Sequence, residues 1–463
     1  MKGEMNRMKK WQYLVLSIAM MFLLTGCGAI TGQKAKEVKT FAEWSEYEVF
    51  ANVPALITEH TRISEARDAG GENYIIEVSS TEEADYKNYL ELLETQGFTK
   101  YVDNGESGLD NRVYTATYTK DALVLTVNYI RSINKVYISA AENQPLSENL
   151  FYKEEYVSNN IAGKKTTLSM MEMYDFGNSF VIQLKNGHFI VCDGGHPQDM
   201  IYLIEYLEKL APQGQKPVVE AWFVSHAHMD HIGCFLEVSK HLEYLKRLSV
   251  EGFYFSQPNE EVCRLNGDTA NVQSFMMAAK VFKDTDGNAT KIYRTNTGQR
   301  YYFNDISIDI VFGQEIFQVE KSYAKVFNDT STWMMLHIDG QKVLMPGDAD
   351  ALTQATVVNI YSKEYLSVDI LQAFHHGYNV YNLVSDKFDF KTVIYPFFTT
   401  ENDKWRTEIK EGNQLVRENA EEYFSHEDGT KVLTFPYEIG SVQTEPAQTW
   451  KYHPDRQPSE GIK

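Results

Sequence analysis

The sequence predicts an α+β protein in which a layered sheet with helices outside it follows a smaller α+β domain. Two observations carry this prediction. Between residues 74 and 142, alternating strands accompany a single helix. From residue 166 onward strands lead into helical segments, and apolar strands repeatedly end in side chains able to bind a metal. A chain of 463 residues with 43% hydrophobic content can hold two or three domains with sizeable cores.

At the N-terminus, Lys2, Arg7, Lys9 and Lys10 precede the apolar run "YLVLSIAMMFLL" and the segment Leu24-Thr25-Gly26-Cys27. A basic region, about a dozen apolar residues and a small-residue cleavage site read as a secretory signal over 1–26, too short to span a membrane. The "LTGC" segment resembles a bacterial lipobox, which implies cleavage before Cys27 and lipidation of its thiol. The mature protein would then be extracytoplasmic and lipid-anchored to the membrane of a bacterium, with residues 27–40 as a polar tether.

The formal net charge is −20; losing residues 1–26 removes four cations and Glu4, a net +3, leaving −23. So acidic a chain is not expected to bind nucleic acid stably, because that needs Lys and Arg to displace counterions. Beyond Cys27 there remain Cys192, Cys234 and Cys263, too scattered for a disulfide framework. Cys192, in the apolar strand "HFIVCDGG", reads as a small core residue.

The first folded unit is expected over 41–142. The segment "YIIEVS" alternates as a strand. Ser80 and Glu83 have capping-box spacing, Tyr86, Tyr89, Leu90 and Leu93 recur at helical spacing, and Gly97 ends the helix. Three further strands follow in "RVYTATYT", "ALVLTVNYI" and "KVYISAA", whose tyrosines read as strand packing. Residues 143–165 have turn residues and no sustained period, and form the expected linker to a second domain over 166–453.

That domain holds "AWFVSHAHMDH". His226, His228, Asp230 and His231 fall within six residues directly after an apolar strand. Such groups are costly to bury unpaired, and they converge if the chain turns sharply after the strand. Imidazole and carboxylate together suit zinc, iron or manganese rather than calcium. The strand "QKVLMPGDAD" likewise ends at Asp348, "VDILQAFHHGYN" at His375 and His376, and "FIVCDGG" at Asp193.

These motifs resemble the metallo-β-lactamase superfamily, and the wider spacing, with "NDTSTWMMLHIDGQKVLMPGDAD" and "AFHHGYN", is most similar to the hydrolase domain of the competence DNA-uptake protein ComEC. The resemblance spans Thr166 to Pro436 and implies an αββα sandwich of two mixed sheets. It also implies one metal at His226 and His228, and a second at Asp230, His231 and one of His375 or His376, with Asp348 bridging. Asp193 would orient ligands from behind. The expected cofactor is zinc, one or two ions, with manganese or iron as alternatives.

There are two departures from the superfamily pattern. The further histidine for the first metal is absent from "VFNDTSTWMML", so the first metal would be weakly held, or completed by water or Asp329 with Asn328 beside it, and one-metal operation stays open. His337, further along that strand, is an outside candidate for the missing ligand and otherwise reads as a surface histidine. Tyr378 stands where ComEC-like sequences more often carry serine, as either a proton donor or a wall residue.

The implied function is a metal-dependent, phosphodiesterase-like hydrolase. A divalent metal lowers the pKa of bound water from about 15.7 to about 7, and Asp230 would orient the resulting hydroxide. The absent histidine argues against a β-lactamase, and the acidic surface favours a small or cell-wall-derived substrate. The alternative is a surface binding lipoprotein with a structural or vestigial metal site.

Overall fold

The computed structural model describes residues 43–44, 46–154, 158–316, 327–396, 407–426 and 429–446. The expected signal, the tether, Cys27 and the last residues of the expected second domain lie outside them. Among the described residues no helix is long and apolar enough to cross a membrane. All of them belong to one unit, Phe41–Lys463.

The N-terminal part is an antiparallel sheet of β1 (Arg62–Gly70), β2 (Asn73–Ser79), β3 (Thr99–Asp103), β4 (Val113–Lys120), β5 (Leu123–Ile130) and β6 (Lys135–Glu142), in the order β1-β2-β6-β5-β4-β3. Successive residues point to opposite faces. Ile76, Tyr129 and Ile138 pack with Tyr86, Tyr89 and Leu93 of helix α1 (Glu83–Thr95). Ile75, Ile130 and Tyr137 pack in the other direction, on the region that follows. Tyr114, Tyr118, Tyr129 and Tyr137 are all buried.

Three details differ from the sequence expectation, the first being β3, an edge strand outside the four expected. The capping box is formed by Glu82 and Asp85, because Ser80 leaves β2 with a left-handed backbone (φ 57°) and does not cap α1. The strand β1 reads "RISEARDAG", whose charges conceal it; it is an edge strand, where charged side chains are expected.

The C-terminal part has two sheets. One joins β7 (Thr167–Met170), β8 (Ser179–Gln183), β9 (Phe189–Asp193), β10 (Val218–Phe223), β11 (Ser249–Val250), β12 (Gly252–Tyr254) and β13 (Lys291–Tyr293). The other, in sequential order, holds β14 (Arg300–Phe303), β15 (Ile306–Phe312), β16 (Trp333–Ile338), β17 (Gln341–Met345), β18 (Val368–Gln372), β19 (Phe390–Tyr395) and β20 (Glu422–Ser425). The strands β21 (Gly429–Thr434) and β22 (Gln443–Pro446) return to extend the first sheet beyond β7.

Between the sheets, Phe180, Ile182, Cys192 and Phe223 meet Ile308, Met334, Leu336 and Ile370. The outer face of the first sheet is covered by α2 (Met200–Leu210), α3 (Met229–Ser239), the short helices α4 (Leu242–Leu245) and α5 (Glu260–Asn266), and α6 (Thr269–Ala278). The outer face of the second is covered by α7 (Ala351–Ile360), α8 (Asn382–Lys387), α9 (Thr407–Asn419) and the N-terminal sheet. The result is an αββα sandwich. Cys192, Cys234 and Cys263 are buried and free of disulfides.

The seam with the N-terminal sheet is polar as well as apolar. Buried Arg294 donates to the carbonyl oxygens of Ala69 and Gly70, both at 3.0 Å, and to that of Gln257 at 3.3 Å. Gly70 is required there: a β-carbon would lie 2.3 Å from the Pro258 carbonyl oxygen.

Candidate metal centre

Parallel pairing brings the functional side chains to one edge. β9 and β10 are parallel neighbours in one sheet, and β17 and β18 in the other. The C-terminal ends of these four strands, with the loops after them, deliver Asp193, His226, Asp348 and His376 to a common cluster. After β10 the chain stays extended at His228, which directly precedes the first turn of α3. That abrupt change from strand to helix lets four polar residues in six converge. Asp230 sits in the first turn of α3, where the helix dipole favours a negative charge.

Asp348 is the centre of the cluster. Its Oδ2 lies 3.1 Å from His231 Nε2, 3.4 Å from His376 Nε2, 3.5 Å from His375 Nε2 and 3.8 Å from His226 Nε2. Asp230 Oδ2 lies 3.1 Å from His376 Nε2 and 3.5 Å from His231 Nε2. Two groups can be drawn, Asp230, His231, Asp348 and His376, and then His226, His228 and Asp348, each with its ligand atoms within 4.8 Å of one another. Asp348 belongs to both. His375 joins neither group; it is partly exposed, and its Nδ1 lies 3.3 Å from Asn328 Nδ2.

Asp193 fixes His231. Its Oδ2 accepts the Nδ1 proton of His231 at 2.8 Å, which leaves Nε2 facing Asp348. The carboxylate is itself held by Asn178 Nδ2 at 2.7 Å, by Ser225 N at 2.8 Å and by Ser225 Oγ at 2.8 Å. Asp193, His375 and His376 all have left-handed backbones, with φ of 58°, 47° and 54°. Such conformations cost about 1–3 kcal/mol each and persist where the surroundings over-determine them, characteristically at functional sites.

Within the cluster the carboxylates and imidazoles shift one another's protonation. Burial works against a charge on His231, yet Asp348, Asp193 and Asp230 hold it well above the ordinary imidazole value. Burial opposes protonation of His376 too, but Asp348 and Asp230 raise it to about 9. For His226, burial, with His231 and His228 adding to it, pulls the value far down and keeps the ring neutral. Against their burial, Asp230 and Asp348 are held low by His231 and His376. Among the described residues, no Lys or Arg pairs with Asp193, Asp230 or Asp348; their ion-pair partners are histidines.

The donor set fits a divalent metal. His231 Nε2 and Asp348 Oδ1 are buried without a hydrogen bond, an expensive arrangement unless something else satisfies them. Imidazole nitrogen with carboxylate oxygen is also the donor chemistry of zinc, manganese and iron.

The remaining expected residues fall around this core. Asp329 does not complete the first position as expected. Its Oδ1 accepts from Asp350 N, Thr353 N and Thr353 Oγ1, so it holds the start of α7 and is in neither ligand group. Tyr378, half-buried, has its ring edge-on to His375 at 5.4 Å and to Phe176 at 6.4 Å between centroids. His337 is bound elsewhere, to buried Asp309 at 2.9 Å. Sequence reasoning missed Asn178, Ser225, Asp268 and Ser331. Ser331 Oγ lies 3.3 Å from His226 Nδ1 and accepts from Asp348 N at 3.2 Å. Of these only Ser225 carried a signal, its position directly before His226.

The fold and this cluster define an αββα domain with a candidate metal centre on one edge. Residues 174–380 match the model of the metallo-beta-lactamase superfamily, so this region is a metallo-β-lactamase-fold domain. Solved structures similar to the chain include a metallo-beta-lactamase with a HARLDQ motif from Cronobacter sakazakii, at 14% identity and a TM-score of 0.28, covering 52% of this chain and 84% of that one. Zinc-bound PqqB from Methylobacterium extorquens is similar at 13% identity and a TM-score of 0.26, covering 46% and 60%. A putative metallo-beta-lactamase from Thermotoga maritima is similar at 13% identity and a TM-score of 0.25, covering 40% and 79%. No curated protein matches the sequence.

Proposed function

We propose that the chain is a membrane-tethered, extracytoplasmic metal-dependent hydrolase, phosphodiesterase-like, acting on a small or cell-wall-derived substrate. The observation that carries the proposal is the convergence of His226, His231, His375 and His376 on one carboxylate oxygen, Asp348 Oδ2.

In this reading Asp230, His231, Asp348 and His376 hold one divalent ion, and His226, His228 and Asp348 a second, with zinc as the first choice. A metal bound there supplies Lewis acidity, which polarises an ester oxygen and makes water a nucleophile near neutral pH. The chain's own residues do the rest. Asp193 holds the Nδ1 proton of His231 and so turns Nε2 to the site, where an ion would displace the second proton, and burial keeps His226 neutral. Asp230 orients the attacking water, and Tyr378 or His375, outside the two ligand groups, gives a proton to the leaving group. The preference for a phosphodiester rests on the ComEC-like motif spacing, and that for a small substrate on the net charge of −20. Lipidation at Cys27 supplies the tether.

The test is metal content together with hydrolysis of bis(p-nitrophenyl) phosphate, a lactone and a β-lactam by the full-length chain. The expected result is bound metal and phosphodiester cleavage that Asp230→Ala and Asp348→Ala abolish. Cleavage of the β-lactam alone would sink the substrate assignment, and absence of both metal and turnover would sink the enzyme. Cys27→Ala should move the protein from the membrane to the soluble fraction; an unchanged distribution would refute the lipid anchor.

A further inference from the structure

The two ring nitrogens of His228 face different neighbours. Nδ1 lies 2.9 Å from His226 Nε2, on the side of the three-residue group. Nε2 lies 3.5 Å from Asp268 Oδ2. Asp268 is 8% exposed, and its other oxygen accepts from Asn271 Nδ2 at 3.1 Å. Because the lone pairs of the two imidazole nitrogens point apart, the Asp268 carboxylate facing Nε2 does not compete for an ion held by Nδ1. It can decide which nitrogen carries the proton.

We propose that Asp268 is a positioning residue that keeps a proton on His228 Nε2 and so leaves Nδ1 free to bind metal beside His226. The proposal rests on the metal-centre reading above. His228 needs such a partner more than His231 does. His231 is fully enclosed and fixed by Asp193, whereas the side chain of His228 is 30% exposed and its ring is steadied by Phe327, 5.0 Å away between centroids. Partners of this kind are worth about 10–100-fold in metal affinity.

Asp268 is in turn held by the N-terminal sheet. Asn259 begins α5 and donates from Nδ2 to the Asp68 carbonyl oxygen of β1 at 3.1 Å, while its Oδ1 caps α5 through Val262 N at 2.8 Å. Arg294 ties the neighbouring Gln257 carbonyl to those of Ala69 and Gly70. At the far end of α5, Asp268 N donates to the Cys263 carbonyl oxygen at 2.8 Å. The β1–β2 hairpin therefore fixes the base of the segment that presents Asp268 to His228, which gives the N-terminal sheet a part in assembling the metal centre.

The experiment is a zinc titration of the metal-free full-length chain, followed calorimetrically, beside Asp268→Asn, Asp268→Ala and His228→Ala. The expected result is two binding events in the natural chain, with the weaker one reduced about 10–100-fold in Asp268→Ala, less in Asp268→Asn, whose amide oxygen still accepts, and the tighter one unchanged. Nitrogen-15 spectra of the metal-free natural chain should give a His228 ring protonated at Nε2, a readout that does not depend on any variant folding. Wild-type affinity for both ions in Asp268→Ala, or a ring protonated at Nδ1, would overturn the proposal. No zinc binding by the natural chain would instead overturn the metal-centre reading beneath it.

Discussion

The two ligand groups that share Asp348 are built differently. Asp230, His231, Asp348 and His376 are all buried, and they offer four ligands. His226, His228 and Asp348 offer three, with His228 partly exposed. The difference lies in what stands behind each ligand. His231 has a carboxylate at 2.8 Å that is itself held by three donors, whereas His228 has Asp268 at 3.5 Å, carried on a segment far from the motif. A site with four fixed ligands is preorganised; one with three, the last loosely backed, is completed by what enters. The motif alone therefore does not make the two ligand groups equal.

The largest effect should come from the residue common to both groups. Asp348→Ala removes a ligand from each, so metal binding and any hydrolysis should fall by more than the ~100-fold that loss of a backing residue can cost. Retained binding of two ions would break the comparison at its root. Asp193→Asn should separate the groups: the tighter ion weakens about 10–100-fold, while the affinity of the His226 and His228 position is held. Equal weakening of both would mean that the groups are not independent.

A third substitution probes the seam. Arg294→Ala strips donors from the carbonyls of Ala69, Gly70 and Gln257, and unfolding by urea should report a loss of about 2–3 kcal/mol. If the weaker ion alone loses affinity in this variant, the N-terminal sheet supports that position. A loss of stability with no change at either ion would confine Arg294 to structure.

The smallest effect is a pH dependence at Asp329, which holds the start of α7 beside the site. Burial raises its carboxyl to about 6. The fold therefore prefers the protonated form, whose contribution to stability is full below the unfolded value of about 3.9 and is lost as pH rises through 6. From this group the metal-free chain should be about 2 kcal/mol less stable at pH 7 than at pH 4, and Asp329→Asn should remove that component from the denaturation profile. An unchanged slope would show that the carboxyl titrates normally.

Much of this was legible in the sequence because the decisive information is local. His226, His228, Asp230 and His231 lie together in the chain, and Asp193, Asp348 and His376 each follow an apolar strand, so the cluster can be named from the sequence alone. What was not legible depends on distant contacts. Adjacent His375 and His376 cannot be told apart by type; their left-handed backbones send one into the four-residue group and leave the other partly exposed outside it. Asp268 follows Gly267 in a segment without any motif, and only the packing of α5 and α6 brings it to His228. Asp329 is a ligand by residue type, but Thr353 and Asp350 N occupy its carboxylate. The strand β1 escapes a hydrophobic pattern because an edge strand is permitted the charges that Arg62, Glu65, Arg67 and Asp68 bring.

If Asp348 joins a tight, four-ligand metal position to a weaker, three-ligand one, the most direct test is zinc titration of the full-length chain beside His376→Ala and His228→Ala. Two unequal binding events are expected, of which His376→Ala removes the tighter and His228→Ala the weaker. A tight event that survives His376→Ala and vanishes in His228→Ala would contradict this arrangement.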